Sequence, residues 1–409
     1  MKKISDKIEL MCYLVVLFSL TTPPIPSFAY AVGYLVVILL FHKVLDFINK
    51  FSNEKNRTNQ PTSPKHSTDI NDFYNFYLLP LFRSSVMILT IFTILAVDFE
   101  IFPRKYAKAE FGVGLMDLGA PAFMFSSGLV PSNKNFHFKK KKMCTLAFLG
   151  LFRTFSLKSL NYSEHASEYG IHWNFFLTLL FAEIFVKVWR KVFGEISPVK
   201  SVFAFLTFHW ILNATFGGRK FVFEAERSGS FFRANREGIL GLFGYTTFFF
   251  FGEMTKTYIL IFKTAKAKIS FGLIILSFSF ASLRFLSEFV FQESPSRRLL
   301  NFPFLFLCAS LNTAALSVFS LASVFFQKAK KRLFFCEIFG RNFVQIFLFA
   351  NILTGSVNLA VDTLDVKAEN AALVLLLYFY LVVTFGAALN HLKKVYYCTQ
   401  SKQSGHLVK

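Results

Sequence analysis

The sequence predicts an all-helical, polytopic transmembrane bundle of about twelve spans, give or take one, each sized to the roughly 30 Å hydrocarbon core of a bilayer. Three observations predict it. Of 409 residues, 54% are hydrophobic and 17% charged, against roughly 25% charged in an ordinary soluble domain. Apolar runs of span length recur along the whole chain. The loops between them alternate between basic and non-basic. A soluble enzyme of this size has too few polar residues here to cover its surface. A disordered chain and a fibrous repeat are excluded on the same composition. The 58 phenylalanines fit an AT-rich coding bias.

The first run, 8–20, follows Lys2, Lys3 and Lys7. Pro23, Pro24 and Pro26 make a poor cleavage site after it, so a retained anchor is expected rather than a signal peptide. A second run covers 28–48. The polar stretch 50–72, with Pro61 and Pro64, reads as a flexible cytoplasmic linker. Further runs lie at 84–102, 112–131, 143–158, 171–192, 199–216 and 237–252, then at 269–291, 300–326, 338–360 and 371–391. The run at 257–264 is too short to span alone. This gives a variable N-terminal part (1–83), a multi-span core (84–391) and a cytoplasmic tail (392–409).

With a cytoplasmic N-terminus, cytoplasmic segments hold about 29 Lys/Arg and the opposite loops about 11. Acidic residues run the other way, about 6 against about 9. Both termini then face the cytoplasm. The net charge of +21 is dispersed in short juxtamembrane clusters, which suits orientation and contact with anionic lipid but no nucleic acid. The five cysteines form no CxxC and no cluster with His, so neither a disulfide nor a metal site is expected.

The loops opposite the cytoplasm are short but carry the unusual polar sequence, in segments 98–108, 161–174, 227–244 and 351–364. Charge near hydrocarbon is costly and is paired or functional. Four such segments on one side suggest a shared polar chamber. Asp98 ends an apolar run, and Lys108 follows beyond Pro103, where the chain can turn. The two can meet as an acid–base pair or as a salt bridge closing a span. His165 and His172 bracket Glu168 and Tyr169, and either histidine can serve as general base. Interfacial hydrogen bonding is the plainer alternative, and Trp173 suits a membrane interface. His209 reads as a packed core residue. Arg233, Asn235, Arg236 and Glu237 precede Gly238, Gly241 and Gly244. They form either a grip for an anionic lipid head or a charge-paired helix start. Asn351, Asn358 and Asp362 share one helical face and should point into the bundle, as a site or as interhelical glue.

The ordered blocks together resemble the Gwt1/PIG-W family. They run from Ala96-Val97-Asp98-Phe99, Phe102-Pro103-Arg104-Lys105-Tyr106-Ala107-Lys108 and Leu115-Met116-Asp117-Leu118-Gly119 to Ser167-Glu168-Tyr169-Gly170-Ile171-His172-Trp173-Asn174. Leu160-Asn161-Tyr162-Ser163-Glu164-His165, Phe175-Phe176, Ala234-Asn235-Arg236-Glu237-Gly238-Ile239 with Gly244-Tyr245, and Ala350-Asn351-Ile352-Leu353-Thr354-Gly355 with Val357-Asn358 complete the set. The resemblance implies a membrane-bound O-acyltransferase of the endoplasmic reticulum membrane, with its active site toward the lumen. It implies transfer of a fatty acyl group, typically palmitoyl, from acyl-CoA to the 2-hydroxyl of the inositol of glucosaminyl-phosphatidylinositol, a step of glycosylphosphatidylinositol (GPI) anchor biosynthesis. An Asp–Lys pair at the centre falls on Asp98 and Lys108, with His165 or His172 as the rival base. Arg104, Asp117, Glu168, Trp173, Asn174, Arg233, Asn235, Arg236, Glu237, Asn351 and Asn358 are the expected substrate-binding residues. Palmitoyl-CoA is then a donor substrate rather than a resident cofactor, its phosphates drawn to loop lysines such as those at 139–142. A lipid transporter or flippase, and an inactive scaffold of the same pathway, are the competing classes.

Overall fold

The computed structural model describes residues 70–102, 112–130, 140–159, 168–194, 196–261, 266–325 and 334–405. Among them every regular element is helical and no strand occurs. The main helices are α1 (Ile70–Ala96), α2 (Gly119–Leu129), α3 (Lys140–Ser159), α4 (Phe175–Phe193), α5 (Pro198–Thr215) and α6 (Arg236–Ile261). They are followed by α7 (Lys266–Phe291), α8 (Phe302–Phe325), α9 (Phe334–Arg341), α10 (Phe343–Ala360) and α11 (Ala368–Gly405). Stretches within α1, α7, α8, α10 and α11 are long and apolar enough to cross a membrane. The expected spans 8–20 and 28–48, and the linker up to residue 69, lie outside the described residues.

Several expected spans have different bounds. The run 112–131 is not one helix. A 3-10 turn (Leu115–Leu118) precedes α2, whose 11 residues rise only about 17 Å. Asp117 causes the break, because its Oδ2 accepts from the Gly114 N–H (2.7 Å) and satisfies a helix-start donor that a continuous helix would not leave open. The run 338–360 is cut at Asn342, which separates α9 from α10. Its fully buried amide bonds to the Ile338 carbonyl (3.3 Å) and accepts from Lys393 Nζ (2.6 Å), a competing set of partners for the helix ladder. α6 runs on to Ile261 and so absorbs most of the short apolar run at 257–264. α11 continues through the expected tail to Gly405. α1 starts at Ile70 with a π turn at Tyr74–Leu78, just ahead of Pro80, which has no N–H for the regular ladder.

The chain divides into two compact units, one of Met1–Ala107 with Phe319–Lys409 and one of Lys108–Val318. In the first, the Tyr378 hydroxyl on α11 donates to the Ile91 carbonyl of α1 (2.8 Å) and lies 3.4 Å from the Ala350 carbonyl of α10. One phenol thus ties three helices where hydrocarbon offers no competing water.

The second unit is built on α6. A Cβ placed on Gly252 of α6 would sit 2.1 Å from the Phe125 carbonyl oxygen of α2, and one on Gly128 of α2 would sit 1.9 Å from that of Phe249. The two backbones touch, which only small residues permit. Gly252→Ala is therefore expected to cost about 1–3 kcal/mol by forcing α2 away, read as a lower melting temperature of the purified protein. An unchanged melting curve would show that the crossing is looser than these distances.

Candidate functional site

Asp98 lies two residues beyond α1, in the turn that ends the helix. Its N–H bonds the Leu95 carbonyl (3.1 Å), and its Oδ2 accepts from Asn358 Nδ2 of α10 (2.9 Å). Asn358 therefore fixes the plane of the carboxylate from a second helix. The expected inward stripe on α10 is split. Asn351 is exposed, and its amide returns to the Phe347 carbonyl of its own helix (2.7 Å). Asp362 lies past the helix end at Ala360 and is also exposed. Arg104, Lys108 and His165 lie outside the described residues.

In the second unit, two of the polar segments, 161–174 and 227–244, converge on the start of α6, joined by the loop between α7 and α8. Gly170, at φ +123°, is a conformation that favours glycine, and a Cβ there would lie 2.4 Å from Asn235 Cα. That close approach lets the Ile171 N–H reach the Ala234 carbonyl (3.0 Å), the His172 N–H reach Asn235 Oδ1 (2.7 Å), and the Gly238 N–H reach the Tyr169 carbonyl (2.8 Å). Asn174 caps α4 through the N–H groups of Phe176 (3.0 Å) and Leu177 (3.2 Å), and its amide donates to the Gly150 carbonyl of α3 (2.8 Å). Trp173 is buried, donates to Thr178 Oγ1 (3.0 Å), and packs over Gly238. The His172 ring is half-buried and stacks on Phe231 at 6.3 Å. Glu168 is half-buried beside Tyr169.

Glu237 is the electrostatic centre of this group, with 1% of its side chain exposed. Both oxygens are gripped by Arg227 (Nη1–Oε2 3.0 Å), while Arg298 Nη2 donates to Oε1 (3.0 Å) and Arg236 Nε lies 3.9 Å away. Arg236 and Arg298 both donate to the Val222 carbonyl (3.1 and 3.0 Å). A second buried pair, Arg297 with Asp117 (3.4 Å), sits against the Tyr169 ring at 4.8 Å. Burial, and then the Tyr245 phenol beside it, push the Tyr169 phenol above its ordinary range, so it stays a hydrogen donor.

The expected substrate-binding residues thus fall into two groups. Asp117, Trp173, Asn174, Asn235, Arg236 and Glu237 are buried and committed to protein partners, so they shape the loops. Of the rest, Arg233 and Asn351 are exposed and Glu168 and Asn358 half-buried, as is the rival base His172, so these can face a ligand. Sequence reasoning missed Arg227, Arg297 and Arg298. A signal was present: Arg297 and Arg298 are adjacent cations in a loop assigned to the side that the positive-inside bias leaves poor in cations.

Comparison with known proteins agrees with the ordered blocks. The GWT1 family model matches residues 2–389. A GPI-anchored wall transfer protein 1 from Schizosaccharomyces pombe is 36% identical over 329 residues, covering 74% of this chain and 69% of its own. Its namesake from Saccharomyces cerevisiae is 34% identical over 348 residues (73% and 70%), and that from Aspergillus oryzae 32% over 376 residues (80% and 75%). On a match that spans nearly the whole chain, this protein belongs to the GWT1 family.

Proposed function

We propose that the protein is an acyltransferase of GPI-anchor biosynthesis, moving a palmitoyl or similar fatty acyl group from acyl-CoA to the inositol 2-hydroxyl of glucosaminyl-phosphatidylinositol. The reading places it in the endoplasmic reticulum membrane with the reacting end toward the lumen. The observation that carries it is the Asp98 carboxylate at the end of α1, oriented by Asn358, in a chain of this family. The relatives' name, GPI-anchored wall transfer protein 1, supports the same pathway.

In this reading Asp98 accepts the proton of the inositol hydroxyl as its oxygen attacks the thioester carbonyl. Lys108 keeps Asp98 ionised or stabilises the tetrahedral oxyanion. The intermediate collapses with loss of the CoA thiolate, which takes up the proton. His165 and His172 are the rival bases. Transfer is direct, because none of the motifs pairs a Ser or Cys with a base. Arg233 is the exposed cation at the start of α6 that can meet the lipid phosphate. The decisive assay mixes purified protein, glucosaminyl-phosphatidylinositol and radiolabelled palmitoyl-CoA. Label appearing on the inositol is expected; intact substrates with a correctly folded protein would refute the proposal.

A further inference from the structure

A second ionic assembly lies in the Lys108–Val318 unit, further along α6. Along that helix, Glu253 is 16 residues from Glu237, about 24 Å at the α-helical rise. Three helices build the assembly. Glu183 of α4 accepts from Lys142 of α3 (2.7 Å) and from Lys187 one turn on (3.3 Å). Glu253 of α6 accepts from Arg190 of α4 (2.6 Å) and lies 3.7 Å from Lys256. Glu183, Lys187 and Arg190 are spaced four and three apart, so they form one stripe on α4 that joins the two halves.

Four cations therefore surround two carboxylates, and exposed Lys140 and Lys191 add to the excess. Most of this charge is sheltered. Side-chain exposure is 11% for Lys256, 19% for Lys187 and 22% for Arg190, while Lys142 is open at 55%. Lysines that only set orientation need no fixed partners and lie dispersed in loops. Here four cations from three helices converge on two carboxylates, which hold them in place. A partly desolvated positive excess is relieved by an incoming anion, and phosphate suits it because ionised donors bind its oxygens strongly.

We propose that Lys142, Lys187, Arg190 and Lys256 form the docking site for the phosphate-bearing nucleotide head of the acyl donor. The inference rests on the acyltransferase reading and adds where the donor is held.

The test uses the full chain in phosphatidylcholine nanodiscs, with coenzyme A lacking an acyl group as the probe. Binding is followed by thermal shift and by equilibrium titration. Wild type should bind, and the double variant Lys142→Gln/Lys256→Gln should bind about tenfold more weakly, since each loses a charge-assisted contact. Its melting curve without ligand checks folding; should it not fold, Lys142→Gln alone, at the exposed position, should still weaken binding. Equal affinity of wild type and variant overturns this site but leaves the acyltransferase reading standing. No binding of coenzyme A to wild type counts against that reading itself. Displacement of coenzyme A by phosphatidylserine nanodiscs, with the variants losing only that lipid effect, would make the cluster an anionic-lipid contact and also overturn the proposal.

Discussion

Asp98→Asn is expected to reduce acyl transfer by about 10²–10⁴-fold, the range lost when a positioned general base is removed. Asparagine has nearly the same shape but accepts no proton and carries no charge. Packing around α1 should therefore persist, and the melting temperature should move little. Near-normal turnover would sink the role assigned to Asp98. Asn358 offers a sharper version of the experiment. Its Nδ2 donates to Asp98 Oδ2 (2.9 Å), so Asn358→Ala leaves the carboxylate less well oriented and should lower kcat more than it raises KM. Asn358→Asp instead puts two carboxyl groups within hydrogen-bonding distance. Such a pair holds one proton between them, because both cannot ionise cheaply at that separation. Activity requires the ionised base. The acid limb of the pH profile should therefore move to higher pH, with activity lost sooner as pH falls. A structural role for Asn358 would lower activity at every pH without moving that limb.

The fold was legible where hydropathy alone decides it. The runs 269–291 and 300–326 became α7 and α8 within about three residues, inside the usual uncertainty of helix ends, because their polar groups, Arg284 with Glu288 and Asn312 with the Cys308 carbonyl, bond within the helix and leave its ladder intact. It was not legible where a single polar side chain overrides a run. Asp117 stops the chain from forming a full helix at 112–131, and Asn342 divides 338–360, yet a window average passes over both. The candidate site shows the same division. Asn174 stood out as part of a block, but its work as the cap of α4 appears only when its oxygen meets the Phe176 and Leu177 amides. The spacing of Gly238, Gly241 and Gly244 suits close helix approach, but the nearest neighbours are Trp173 and Leu300 from loops, with His209 of α5 beside Gly244. Arg297 and Arg298 were not singled out from the sequence, yet they are the partners of Asp117 and Glu237.

Glu237→Ala is expected to be the most destabilising single change in the Lys108–Val318 unit, by about 3–5 kcal/mol, because it strands a buried set of cations. Arg236 and Arg298 have 2% and 10% of their side chains exposed, and Arg227 24%, so water cannot take over the missing carboxylate for the first two. The loss should propagate. Arg298 and Arg236 converge on the Val222 carbonyl, and the neighbouring Asn235 holds the His172 N–H, so the loops before α4, before α6 and before α8 share one anchor. Alanine at 237 should lower the melting temperature of the purified protein and raise proteolysis in all three loops together. Glu237→Ala/Arg298→Met should recover part of the loss, because it removes one stranded cation and fills its place with an apolar chain. If the double variant were no more stable than the single one, the penalty would come from a lost contact rather than from uncompensated charge, and Glu237 would not be the electrostatic keystone of these loops.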